Sequence, residues 1–400
     1  MIYLDYQSTT PIDKRVLKKM QETGDMWGNP HSNSHSPGLK SAKLVEEARG
    51  EVASLINARP KDIIFTSGAT EANNLAIKGY ALFNDPSKSK HIITTQTEHK
   101  CVIESCRFLE GQGYKVTYLK PKPNGIIDLQ DLENAITDET IMISIIHLNN
   151  EIGTIQNLKD IGALTRKHNI IFHTDAAQSY GKLPIDVEEC NIDLMSISGH
   201  KFYGPKGIGA LYVRTRPRRI RLQPLMHGGG QERGLRSGTL PLPLVCGLGE
   251  AAKIASQEMQ ANYEYITKLG KYMADSLLQD PHVVLNGDAE QRFYGNLNLS
   301  FACIEGESFM MSMPEMSMSS GSACTSQTLA TSYVLKAIDV PDSLAHTSIR
   351  FGIGKFTTKE EIDYAIDKIK STVVKLREMS PLWEMQQKGI DINTIEWNEH

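Results

Sequence analysis

Cysteine is scarce in this chain: six residues in 400, at positions 101, 106, 190, 246, 303 and 324. They are scattered, so they lay out no disulfide framework, and no pair has zinc-finger spacing. Cys101 and Cys106 flank an apolar helical segment and read as core or surface thiols. A reducing compartment is the expectation. Long apolar runs are missing too. No stretch reaches the ~18 residues of a membrane span, and no signal-peptide pattern precedes Met1-Ile-Tyr-Leu-Asp5, so a soluble protein without a membrane partner is expected. Neither sign of charge dominates. The 43 basic and 47 acidic residues leave a formal net charge of −4, without the broad basic field that direct nucleic-acid binding needs. The cluster Arg214-Thr-Arg-Pro-Arg-Arg-Ile-Arg221 reads as a strand edge and a solvated turn. Internal repeats and low-complexity tracts are absent.

What the chain has in quantity is alternation. Apolar, strand-like runs at 61–66, 91–95, 115–119, 140–148, 169–173, 194–197 and 207–213 are separated by segments of helical periodicity. The clearest helix begins at Ser41, where Leu44, Val45, Ala48, Val52, Leu55 and Ile56 recur every three or four positions. Others are expected over 13–23, from 71, near 100, over 129–135 and over 158–168. This order predicts an α/β fold with a mostly parallel sheet flanked by helices. A helix near 244–261 extends as a connector to about Asp275. Beyond it, strands near 283–285 and 297–301 and a helix over 359–376 read as a smaller α+β unit. The expected division is a large domain over 12–260 and a small domain made of 1–11 and 261–400. The methionine-rich Met310–Met318 reads as core filling.

Ligands of such sheets bind beyond the carboxyl ends of the strands. Five polar residues fall at such positions: His99, Asn150, Asp175, Gln178 and Lys201. Lys201 closes the run Leu194-Met-Ser-Ile-Ser-Gly-His-Lys201, where poor hydration disfavours the charged amine and leaves a usable nucleophile. Schiff-base chemistry needs that. Taken alone, a lysine at a turn is more often a solvated surface residue; its company changes the reading. In Thr66-Ser-Gly-Ala-Thr70 a strand, a glycine turn and a helix start bring free N–H groups and a hydroxyl together as an anion site. Thr70, Ser198 and His200 supply anion donors, Asp175 a carboxylate, Gln178 an amide and His99 a flat aromatic base. A carboxylate that keeps a ring nitrogen protonated, a lysine and a phosphate cradle are what pyridoxal phosphate requires.

The same residues carry a family resemblance. Thr66-Ser-Gly-Ala-Thr-Glu71, Thr97-Glu-His-Lys100, Asn149-Asn-Glu-Ile-Gly153, Thr174-Asp-Ala-Ala-Gln178 and Ser196-Ile-Ser-Gly-His-Lys201 resemble segments of class V aminotransferase-fold proteins. With Gly228-Gly-Gly-Gln-Glu-Arg-Gly-Leu-Arg-Ser-Gly-Thr-Leu240 and Ser319-Ser-Gly-Ser-Ala-Cys324-Thr-Ser326, they resemble more narrowly the cysteine desulfurases of iron–sulfur cluster assembly. The ending, Ser380-Pro-Leu-Trp-Glu-Met385 to Trp397-Asn-Glu-His400, is similar to the housekeeping branch, mitochondrial members included. The resemblance covers nearly the whole chain. It implies a fold type I pyridoxal-phosphate transferase with Lys201 holding the cofactor, Asp175 pairing the pyridine nitrogen and His99 stacked on the ring. Gln178 should contact the ring hydroxyl, and Ala69, Thr70, Ser198 and His200 the phosphate. Thr239 should reach the phosphate of a partner subunit, which implies a homodimer. Asn150, beside the cofactor, and Arg350 should hold the substrate carboxylate.

Cys324 decides the reaction that the resemblance implies. Its loop, about 319–330, should carry the thiolate to the sulfur of L-cysteine, so that alanine leaves and a persulfide remains on Cys324. Lys201 should move the α-proton and His99 serve further proton transfers. Gln327-Thr-Leu-Ala330 departs from the family's Ala-Ser-Leu-Glu. The implied partners are an iron–sulfur scaffold at the C-terminal tail and further sulfur acceptors, including those of tRNA thiolation. No resident metal is implied; Cys324 would be a transient ligand of a [2Fe-2S] cluster shared with the scaffold. The expected setting is the bacterial cytoplasm, with the mitochondrial matrix or a related organelle as the alternative. A selenocysteine lyase or other class V lyase is disfavoured by Cys324 and the tail. A sulfur-carrier docking protein without turnover is disfavoured by the complete set Lys201, Asp175, His99 and Cys324.

Overall fold

The computed structural model describes residues 1–83, 90–320 and 331–389. A short strand, β1 (Ile2–Tyr3), and two helices, α1 (Lys14–Gly24) and α2 (Ser36–Ser54), come first. Helix α2 starts five residues before the expected Ser41. His35 caps it by accepting the Gly38 N–H at 3.1 Å, and Pro37 sits in its first turn. The polar composition of 28–35 conceals that cap.

The apolar runs become one seven-stranded sheet among the described residues. Its strands are β2 (Ile63–Thr66), β3 (His91–Thr95), β4 (Lys115–Leu119), β5 (Thr140–Ser144), β6 (Ile171–Asp175), β7 (Leu194–Ser198) and β8 (Gly209–Val213). Their order is β2-β8-β7-β6-β5-β3-β4, parallel throughout except that β8 runs against both its neighbours. Lys61 and Asp62, expected as strand, instead form a 3-10 turn over Pro60–Asp62, closed by Arg59 Nε donating to Asp62 Oδ2 at 2.8 Å.

Strand periodicity decides the two faces. Ile63, Phe65, Met195 and Ile197 point into one core, shared with α1, α2 and the helix Leu158–Lys167. Ile64, Leu194 and Leu211 point into the other, beneath α3 (Ala69–Phe83) and α4 (Lys100–Glu110). Covered on both sides, the strands can be apolar at almost every position. Gly209 is required at the β8 edge: a Cβ there would lie 2.3 Å from the Ile197 carbonyl oxygen and 2.7 Å from Gly68 Cα.

The connector is a 36-residue helix, Leu242–Leu277. Its first half packs in the large core, while Ile266, Leu269, Met273 and Leu277 enter a separate one. That separate core lies under a four-stranded antiparallel sheet. In spatial order its strands are Ser319–Ser320, Ser348–Gly352, Asn296–Phe301 and Val283–Leu285. The N-terminal segment belongs here in space: β1 pairs with Met316–Ser317, and Asp5 bridges to Gly352. Met313 and Met316 fill this core as expected, whereas Met311 is exposed. A helix over Lys359–Glu378 packs on it, started by a capping box between Thr358 and Glu361. A final short helix, Pro381–Gln387, seats Leu382 and Trp383 against Ala302 and Cys303.

Candidate active site

The carboxyl ends of β2, β3, β5, β6 and β7 meet at one rim. Asp175 is the last residue of β6 and is buried; its Oδ1 accepts the Ala177 N–H at 2.9 Å and its Oδ2 the Asn73 amide at 2.7 Å. Asn73 reaches it from the second turn of α3, one turn beyond Ala69 and Thr70. The N–H groups of Ala69 and Thr70 lie in the first turn of α3, where no carbonyl of the helix can accept them. Ser198 ends β7, and Gly199–Lys201 form a 3-10 turn that carries His200 and Lys201 away from it. His200 Nδ1 lies 3.1 Å from Thr9 Oγ1; burial, with Lys201 nearby, lowers its pKa to about 4, so it is a neutral hydrogen-bonding group.

His99 caps α4, accepting the Cys101 N–H on Nδ1 at 3.2 Å, with Cys101 Sγ 3.0 Å from the same atom. An acceptor at Nδ1 leaves the neutral ring's proton on Nε2. Desolvation lowers the pKa of this imidazole, and the Asp175 carboxylate opposes the shift. Cys101, read from sequence as a core or surface thiol, is thus part of the site. Burial and Asp175 push its pKa up to about 12, so it remains a thiol. Glu98, just before His99, is fully enclosed. Its Oε1 accepts from Ile146 N at 2.7 Å and Thr95 Oγ1 at 3.0 Å, and burial raises its pKa to about 8.

The N-terminal turn, which sequence reading left without a role, ties the site together. Lys201 Nζ donates to the Gln7 and Ser8 carbonyls at 2.6 and 2.7 Å. Gln178 Nε2 donates to the Gln7 carbonyl at 2.8 Å. Arg350, from the small sheet, donates to the Asn150 carbonyl at 2.9 Å, Ser8 Oγ at 2.7 Å and Asp5 Oδ1 at 3.0 Å. A lysine amine and an arginine therefore meet at a single residue, Ser8. Only the polarity of Gln7-Ser-Thr-Thr could have signalled this. Thr239 stands apart: it is exposed, and no hydrogen bond joins it to this rim among the described residues. Cys324 lies outside the described residues.

Residues 2–365 match the class-V aminotransferase family. The chain is 59% identical over 401 residues to cysteine desulfurase IscS of Rickettsia bellii (strain OSU 85-389), covering 100% of this chain and 97% of that protein. It is 58% identical to the mitochondrial cysteine desulfurase of Arthroderma benhamiae (strain ATCC MYA-4681 / CBS 112371), covering 100% of this chain and 80% of that protein. The chain belongs to the class-V aminotransferases, in their cysteine desulfurase branch. A solved structure of SspA in complex with cysteine has the same fold, with a TM-score of 0.80 and 40% identity over 90% of this chain and 100% of that one.

The family is pyridoxal-phosphate-dependent, and the residues at this rim fit that group. A buried carboxylate with one partner on each oxygen, the first-turn N–H groups of α3 and a lysine amine lie at the same strand ends as an exposed imidazole. Asn73 Oδ1, Gln7 Oε1 and Arg350 Nε are buried here without a partner among the described residues, so the site holds polar capacity for a ligand.

Proposed function

We propose that this chain removes sulfur from L-cysteine, leaving L-alanine and a persulfide on Cys324. The observation that carries the reading is the meeting of Lys201 and Arg350 at Ser8, 2.7 Å from each. An amino acid needs an amine-handling group and a carboxylate-handling group about one residue apart, and this pair offers both. Bound at Lys201, pyridoxal phosphate supplies an electrophilic carbonyl carbon and an electron sink. Asp175 would hold the ring nitrogen's proton, Gln178 would donate to the ring hydroxyl, and Ala69, Thr70, Ser198 and His200 would bind the phosphate. Asn150 and Arg350 orient the substrate carboxylate. Lys201 Nζ takes the α-proton, and His99 Nε2 serves later transfers. The thiolate of Cys324 attacks the substrate sulfur; an S–S bond forms, the Cβ–S bond breaks, and the carbon is protonated to the methyl of alanine. Similarity to the SspA–cysteine complex supports the substrate.

Two separate cores support the division into a large domain over 12–260 and a small domain of 1–11 and 261–400. The exposed Thr239, on a loop anchored at Glu232, supports a homodimer in which it reaches the other subunit's phosphate. The persulfide would pass to an iron–sulfur scaffold docked at the C-terminal tail, residues 390–400 of which lie outside the described structure, and to further acceptors. Cys324 would transiently ligate a [2Fe-2S] cluster on that scaffold. No helix of the described residues is long and apolar enough to cross a membrane. Relatives from a bacterium and from a mitochondrion support the bacterial cytoplasm, with the mitochondrial matrix as the alternative.

The test is cysteine-dependent formation of alanine and protein-bound persulfide in wild type and Cys324→Ser. Equimolar products are expected from the wild type, and an intact yellow cofactor without persulfide from the variant. Persulfide surviving in Cys324→Ser would sink that assignment. Borohydride reduction should fix the cofactor on Lys201; recovery on another lysine would refute it.

A further inference from the structure

Lys182 is a buried amine that the reaction above does not use. Gly181, at φ +72°, turns the chain ahead of it, and a Cβ on Gly181 would lie 2.8 Å from the Phe202 ring. Lys182 is 8% exposed and forms no ion pair with a described carboxylate. Its amine lies over the Phe293 ring, 6.0 Å from the centroid, and Nζ donates to Gln178 Oε1 at 3.2 Å. Its charged neighbours are cations, Lys201 and Arg350; with burial as the larger cause, they lower its pKa to about 7. Asp13 and Lys355, which line the same small cavity of about 20 Å³, are paired with each other at 2.6 Å. A lysine buried among like charges is costly, so its presence here calls for a structural return.

That return is the orientation of an amide. Oxygen and nitrogen of a glutamine can exchange places with little change in shape. A donor at Oε1 prevents the exchange and keeps Nε2 on the other side, facing the Gln7 carbonyl to which Lys201 also donates. We propose that Lys182 is a positioning residue: it holds the Gln178 amide with its nitrogen toward Lys201, so that a donor and not an acceptor faces the ring hydroxyl of the cofactor. The proposal rests on the reading of Gln178 as a cofactor contact.

A double-mutant cycle on the holoenzyme tests it, with two readouts: the apparent pKa of the cofactor's visible absorption band and the dissociation constant for pyridoxal phosphate. Gln178→Ala should raise that pKa by about 0.5–1 unit and weaken cofactor binding about fivefold, the range of one hydrogen bond. Lys182→Met, which keeps the stem and removes the amine, should shift both in the same direction. Added to Gln178→Ala it should do nothing further, and Lys182→Arg, which keeps a donor, should restore the wild-type values. Full additivity of the two shifts would overturn the proposal, because Lys182 would then act by its charge alone. A wild-type spectrum in Lys182→Met beside a shifted Gln178→Ala also overturns it. No shift in Gln178→Ala removes the reading of Gln178, and the proposal with it. If Lys182→Met does not fold, Lys182→Gln, which keeps a shorter donor, goes through the same cycle; its shift must lie between wild type and Gln178→Ala.

Discussion

Asp5 illustrates how one side chain governs the proposed substrate clamp. Its Oδ1 accepts from Arg350 at 3.0 Å, Ser319 Oγ at 2.7 Å and Ser8 Oγ at 2.8 Å. It therefore fixes the guanidinium against the strand that leads toward Cys324. Asp5→Asn should raise KM for cysteine several-fold with a smaller change in kcat; an unchanged KM would mean that Arg350 is held well enough by Ser8 and the Asn150 carbonyl. Glu98 makes a different prediction. Its folded pKa of about 8 lies above the ordinary 4.5 because burial disfavours the carboxylate, with Asp175 adding to the shift. Between those values the folded protein keeps a proton that the unfolded chain has released. This group therefore lowers stability as pH rises from about 4.5 to 8, and contributes no further change above. Glu98→Gln should melt at a temperature that gains on wild type as pH is raised from 5 to 8.5; a constant difference would refute the buried neutral acid.

At the scale of elements, two short segments carry more than their length suggests. The loop that ends at Thr239 turns through Glu232 and Arg233, both in the left-handed region at φ +48° and +59°. What holds them there is a buried pair: Glu232 accepts two Arg49 N–H groups at 2.7 Å each, and also the Phe65 N–H of β2 at 2.7 Å. Glu232→Ala leaves the buried Arg49 with only Glu46, at 3.0 Å, as a charged partner and strips the Phe65 N–H of its acceptor, and should cost about 3 kcal/mol in denaturant unfolding. A loss under about 1 kcal/mol, the range of exposed pairs, would contradict that burial. The second segment is the helix Pro381–Gln387. Trp383 lies 4.7 Å from the Arg377 guanidinium and 4.9 Å from the His282 ring, and Gln386 accepts from Cys303 Sγ at 2.7 Å. Truncation from Pro381 should lower stability by about 1–2 kcal/mol and weaken scaffold docking, yet spare basal alanine production. Loss of alanine along with docking would mean that the helix supports the active site itself.

The whole molecule is a large domain, with a core on each face of its sheet, and a small domain with a core of its own, joined by the Leu242–Leu277 helix and by the N-terminal turn. A homodimer predicts sedimentation at twice 44.5 kDa, and weaker cofactor retention in Thr239→Ala. A monomer that keeps full cofactor affinity would refute Thr239 as a contact in trans. Much of this was legible in the chain. Strand runs such as Leu194–Ser198 and the turn that follows each are local properties of hydrophobic period and turn chemistry, and so is the position of Lys201 past a strand end. The class of fold and the lysine, carboxylate and histidine of the site could be read for that reason. Other features needed the folded chain. Arg350 and Ser8 are 342 positions apart, and their contact depends on how the small sheet packs against the N-terminal turn. Likewise Cys101 beside His99, Asn73 behind Asp175 and Lys182 behind Gln178 follow from which face each element buries. Sequence determined the reactive groups because local periodicity places them; tertiary packing alone decided which of those groups touch, and so which amide, carboxylate and thiol can support them.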